Sequence, residues 1–231
     1  IRSATFGFTE PYLFDRPISA GFTLYMQRFS FDYGREVSLL SGRNLIPLYE
    51  QLGRENLLNY ASNGRGFTVF TSYPLRRTFA RIGLTYGYDV SNITVFTNAS
   101  RNYFEYLNYL QGIEGANSLT GIKTSKIIPS YSYNTVDHPI TPTRGKSFFV
   151  SLEYAGGPLG GNVNMLRPTV SATYFRAGLW PNHVIGMRAM GSFLTGYGGK
   201  VAPPYTRFYM GGESDIRGFD NWGITPLIFV P

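Results

Sequence analysis

The residues able to do chemistry in this chain are few, and the densest group lies near its end. From Gly211 to Trp222 the sequence reads Gly-Gly-Glu-Ser-Asp-Ile-Arg-Gly-Phe-Asp-Asn-Trp, so that three carboxylates (Glu213, Asp215, Asp220) surround a single cation, Arg217. Gly211 and Gly212 lead in, and Arg217 is flanked by Ile216, Gly218 and Phe219. The composition is that of a loop, but one too particular to be filler.

Familiar catalytic arrangements fail on their own requirements. Gly145-Lys146-Ser147 has the form of the end of a phosphate-binding loop, but that loop needs glycine where Ile140 stands and a helix after it, whereas a strand pattern follows. His138 and His183 are the only histidines, both fall in predicted short turns, and there is no cysteine. Neither a His-based metal centre nor a Ser/His relay is therefore expected, and no cofactor is called for. Asn92-Ile93-Thr94 and Asn98-Ala99-Ser100 match the glycosylation pattern, which has no meaning in a Gram-negative host. Arg81, Glu153, Arg167 and Arg188 are isolated charges among small polar residues. On an inward face they line a conductive path or pair with one another in a solvated interior.

The elements that must position these residues read as strands. Ala4, Phe6 and Phe8 alternate with Ser3, Thr5, Gly7 and Thr9, and Ile18, Ala20, Phe22, Leu24 and Met26 alternate with Ser19, Gly21, Thr23, Tyr25 and Gln27. A period of two is the mark of a strand with two unlike faces. The pattern returns around Phe67 to Pro74, Ala80 to Tyr88, Ile127 to Tyr133, Ser147 to Tyr154, Arg167 to Tyr174 and Ile185 to Ser192, and fades after Leu194. That makes about eight strands of roughly 10 residues, a length suited to crossing a bilayer obliquely. Short turns (10–17, 136–145, 180–183) alternate with long connections at 32–64 and 91–124. A short helix is predicted around Leu48 to Leu58, and Tyr103, Tyr106, Leu107 and Leu110 sit at helical spacing in the second long loop.

Composition narrows the class. The 231 residues include 18 Tyr, 18 Phe and 27 Gly, with only 15% charged, and no run approaches the roughly 18 apolar residues a spanning helix needs. A mean hydropathy of -0.12 fits a membrane protein only if every second residue faces lipid. The polar face is Ser, Thr and Gly with single arginines, not the Lys and Glu of a water-facing sandwich, while Tyr73, Tyr88, Tyr154 and Tyr174 mark strand ends on the apolar face. Backbone groups in lipid must all be paired, so an all-β transmembrane antiparallel barrel is predicted, with residues 1–195 as its strands and 196–231, past the last alternation, as loop. The net charge of +7 is spread without a dense run, which speaks against nucleic acid. Ile1 opens as if inside a strand, and the chain reads as an interior piece of a longer one.

Four landmarks, in order, carry a resemblance. They are Thr9-Glu10-Pro11-Tyr12-Leu13; Asp137 through Pro142, Thr143 and Gly145; Gly196-Tyr197-Gly198-Gly199-Lys200 through Pro204-Tyr205; and Phe208 through Phe219, containing Ile216-Arg217-Gly218-Phe219. Together they resemble the BamA-type outer-membrane assembly factors over nearly the whole chain. The resemblance implies a barrel of about sixteen strands, of which this chain would hold the fourth to the eleventh and most of the sixth extracellular loop. It implies folding and insertion of other barrels into the outer membrane without catalysis. The partners implied are outer-membrane lipids, unfolded client barrels, accessory lipoproteins and upstream periplasmic repeat domains. A two-partner secretion transporter of the same superfamily and a passive porin are the alternatives.

In that family the sixth loop folds into the lumen and its arginine meets wall carboxylates. Arginine offers a rigid fork of donors, and a bidentate pair in a confined lumen can pin a loop. The resemblance places the partner carboxylates beyond Pro231, with Glu153 the alternative inside the chain. Gly218 would permit a tight turn where no Cβ fits, and Phe219 would anchor the loop on the wall.

Overall fold

The structure, a computed structural model, describes residues 2–32, 59–75, 79–110, 121–180 and 183–200, with isolated positions at 47, 51, 53, 55, 202, 206, 208 and 218. Eight strands pair with their sequence neighbours in one antiparallel sheet: β1 (Arg2–Glu10), β2 (Ser19–Asp32), β3 (Asn59–Pro74), β4 (Ala80–Val95), β5 (Ile122–Asn134), β6 (Gly145–Ala155), β7 (Met165–Ala177) and β8 (Val184–Ser192). A two-residue strand, β9 (Thr195–Gly196), pairs back on β7, and a helix, α1 (Asn98–Leu110), follows β4. Among the described residues no helix is long and apolar enough to cross a membrane.

The register sorts the side chains into two faces. Phe8–Phe22–Val69–Tyr86–Ile127–Tyr154 follow one another across six strands, as do Tyr73–Ile82–Tyr131–Val150–Val170. Phe6, Leu24, Met26 and Met187 share that face and are exposed, at 65, 49, 61 and 58%. Large apolar side chains this open over a whole sheet need an apolar solvent. On the opposite face Thr5, Tyr25, Gly66, Asp89 and Thr124 follow one another instead. This is the wall of a partial transmembrane β-barrel, with one face to lipid and one polar.

Strand pairing extends beyond the alternating segments. β3 starts at Asn59 and β4 ends at Val95, both 16 residues long, so pairing runs into the stretches 32–64 and 91–124 expected as loop. Ladder hydrogen bonds do not depend on side-chain polarity, and where neither face meets lipid the alternation fades although the ladder goes on. β9 escaped notice for a related reason, since two residues hold no periodicity. The helical spacing at Tyr103 and Tyr106 matches α1, whereas the helix expected at Leu48 to Leu58 lies outside the described residues apart from isolated positions.

The buried core is small and sits on the polar face at the long-loop end. There Phe104 of α1 packs with Ile93, Ile122, Ala155, Val163, Met165 and Ala202, with Tyr60 edge-on to Phe104 at 4.9 Å. Thr97 begins the helix, its Oγ1 accepting from the Ser100 amide, and Ser100 Oγ in turn accepts from the Asn59 amide at 2.7 Å. The cap therefore ties α1 to the first residue of β3.

Candidate functional site

Directly beneath this apolar cap the polar face carries a row of charge. Four neighbouring strands contribute one residue each: Asp89 (β4), Lys126 (β5), Glu153 (β6) and Arg167 (β7). Register explains why they meet. Glu153 lies opposite Arg167, and Lys126, opposite Gly87 on one side and Ala155 on the other, is diagonal to both Asp89 and Glu153. Lys126 Nζ stands 3.3 Å from Glu153 Oε1 and 3.9 Å from Asp89 Oδ1, and Arg167 donates to Glu153 Oε2. The signs alternate across the sheet, so each contact is attractive.

Glu153 is the centre of this row. Its side chain is 6% exposed, against 17% for Asp89, 22% for Lys126 and 31% for Arg167. A carboxylate so buried is tolerated only when paired, and here two cations flank it. Oε1 lies within ion-pair range of Lys126 but in no hydrogen bond, so one lone pair of the most buried charge is held by Coulomb attraction alone. Close by, β5 meets Pro129, which has no N–H to donate, and the β5–β6 ladder is interrupted at residues 128 and 129. The Lys126–Glu153 pair bridges the two strands whose ladder is interrupted.

Glycines make room for the long side chains. A Cβ built on Gly66 would come within 2.8 Å of Tyr25 Oη and of Asp89 Cβ, so Tyr25 lies across the Gly66 backbone towards Asp89. The row thus runs from Tyr25 on β2 to Arg167 on β7.

Of the four charges expected to face inward, Arg81, Glu153, Arg167 and Arg188 all fall on this polar face, but only Glu153 and Arg167 meet. Arg81 lies near the short-turn end, where it donates to Ser72 Oγ at 2.9 Å, and Arg188 stands exposed on β8 opposite Thr173. Sequence reasoning passed over Asp89, Lys126 and Tyr25 as site residues. Asp89 continues the parity of Arg81, Thr85 and Gly87, and Lys126 directly precedes Ile127, so extending each strand by a residue or two would have found both.

The loop residues Gly211, Gly212, Ile216, Arg217 and Phe219 lie outside the described residues. Gly218 is described, with φ of 91°, a conformation that favours glycine. Among the described residues nothing stands within 4 Å of a Cβ built there, and the residues on either side of Gly218 lie outside the described ones.

At the opposite rim the turn between β5 and β6 closes on one carboxylate. Asp137 accepts from the Thr143 hydroxyl, and its Oδ1 from the amides of His138, Thr143 and Arg144 at 3.0, 3.0 and 3.2 Å. The Thr143 hydroxyl first, then these amides, hold its carboxyl well below the usual carboxylate range. His138 is occupied by the same turn, its Nδ1 accepting from the Thr141 amide at 3.0 Å. Among the described residues no group of three or more His, Asp or Glu could hold a metal.

Comparison with known proteins agrees with this architecture. A curated relative, the outer membrane protein assembly factor BamA of Nitratidesulfovibrio vulgaris (strain Hildenborough), is 34% identical over 96 residues, which is 42% of this chain and 12% of that protein. The crystal structure of BamA from Haemophilus ducreyi lacking POTRA domains 1-3 superposes on 97% of this chain and 38% of its own, with a TM-score of 0.71 at 17% identity, a likeness of fold. The chain thus spans a minor part of both. The Omp85 superfamily domain matches residues 2–229, and the chain, a stretch of outer-membrane β-barrel wall, belongs to the Omp85 superfamily.

Proposed function

We propose that this chain is part of the barrel of an assembly factor that folds and inserts other β-barrel proteins into the outer membrane, acting without a catalytic residue or cofactor. The observation that carries this reading is the order of landmarks: the Glu10-Pro11-Tyr12 turn, the Asp137 turn, the start of the long loop at Gly196 and the Ile216-Arg217-Gly218-Phe219 segment. The likeness to a relative described as an assembly factor supports it. The polar face is the lumen wall, and the row from Asp89 to Arg167 braces it across four strands. Client barrels, membrane lipids, accessory lipoproteins and periplasmic repeat domains elsewhere in the protein are its partners. The loop of residues 196–231 enters the lumen as a latch, with Gly211 and Gly212 as its lead-in and Arg217 as its cation.

The test compares Arg217→Ala with Arg54→Ala in the full-length protein. The expected result is a loss of client barrels from the outer membrane and of heat-modifiability for Arg217→Ala alone. Equal client levels and equal heat-modifiability in the two variants contradict the reading, as does a large steady conductance unchanged by Arg217→Ala, which marks a porin.

A further inference from the structure

The apolar face is not apolar to its edge. At the short-turn end it carries two cations, Lys146 near the start of β6 and Arg176 near the end of β7, both exposed. Lys146 lies opposite Tyr174, and Arg176 is two residues further along the same strand, so the two residues are diagonal neighbours, their Cα atoms on the order of 7 Å apart. Among the described residues neither has a salt-bridge partner. The carboxylate of the neighbouring turn, Asp137, is enclosed by hydrogen bonds from that turn. Two unpaired like charges side by side on a sheet repel, and an anion between them relieves that repulsion.

Aromatic rings frame the pair. Lys146 Nζ stands 5.8 Å from the Tyr133 ring centroid, a cation–π distance, and Tyr174 stands directly across from Lys146, 41% exposed. Phe148 follows on the same face opposite Tyr133, 39% exposed. From the rim inward Arg176 comes first, then Lys146 level with Tyr174, then Phe148 level with Tyr133 and the apolar wall beyond. That is the vertical order of a phospholipid: phosphate, glycerol region, acyl chain.

We propose that Tyr133, Lys146, Phe148, Tyr174 and Arg176 form a binding site for one anionic phospholipid of the leaflet at the short-turn end. Lys146 and Arg176 take the phosphate, the two tyrosines the glycerol region, and Phe148 the first part of a chain. The site lies on the lipid face, apart from the row of ion pairs and from the loop latch. A free phosphate would meet the same cations but gain nothing from Phe148.

The experiment uses the full-length protein in nanodiscs of equimolar phosphatidylglycerol and phosphatidylcholine, with lipids retained after detergent extraction counted by mass spectrometry. The wild type is expected to retain phosphatidylglycerol in preference to phosphatidylcholine. Lys146→Ala with Arg176→Ala together weaken this retention about tenfold or more, Lys146→Arg with Arg176→Lys preserves it, and Arg101→Ala at the far end leaves it unchanged. Retention by the wild type should also fall as salt is raised, a readout independent of any variant's folding. Equal retention of the two lipids by the wild type, a double-alanine variant that binds as the wild type does, a flat salt response, or full displacement by soluble glycerol phosphate would each overturn the assignment.

Discussion

Two carboxylates on one hairpin do opposite kinds of work. Glu153, inside β6, is buried and joins side chains from β5 and β7, distant along the chain. Asp137, in the turn before β6, is fully exposed, and its partners lie within the next few residues. The same functional group thus serves once as a long-range brace and once as a local clasp. Burial makes the difference, because an unpaired charge is costly where water is excluded and cheap where water is present.

This contrast can be broken by mutation, most strongly at the brace. Glu153→Leu leaves the partly buried Lys126 and Arg167 without their shared anion, and is expected to destabilise the barrel toward the lower end of about 3–5 kcal/mol. Adding Lys126→Met and Arg167→Met should recover part of that loss, since removing partners together is milder than removing one, while Asp89 still loses Lys126. Urea unfolding of the full-length protein in detergent measures both; a single variant no less stable than the triple one would show that the ion pairs do not brace the wall.

A smaller effect is expected above the brace. Phe104→Ala removes a ring 4% exposed in the apolar cap, at a cost of about 3 kcal/mol, but to the docking of α1, not to the sheet. Proteolysis within Asn98–Leu110 should accelerate while the unfolding midpoint stays in place. A shifted midpoint would mean that cap and wall unfold as one unit.

Least of all is expected at the clasp. The carboxyl of Asp137 is depressed in the folded state, so its contribution is complete above the unfolded value, about pH 4, and is lost as pH falls through the lower folded value. At neutral pH Asp137→Asn should speed hydrogen exchange at the Thr143 and Arg144 amides without changing unfolding. Unaltered exchange would show that the turn holds its shape without the charge.

Much of the wall was legible because a period of two survives wherever one face meets lipid. Phe6 to Phe8, Phe22 to Met26 and Ile82 to Tyr88 could be assigned to faces from their spacing, and the register confirms each. The pattern failed at Asn59 to Arg65 and at Ser91 to Val95, where strands continue beyond the apolar band. The Asp137 turn was legible for another reason: its donors all lie within a few residues, so the motif and the structure contain the same information.

What is local could be read along the chain: the alternation, the turn chemistry and the landmarks of its superfamily. Which charges meet was settled by the folded sheet. Asp89, Lys126, Glu153 and Arg167 are spread over four strands, and a slip of one residue in any pairing would send a charge to the lipid face. Their meeting is a property of the register summed across the sheet, which no single strand's sequence contains.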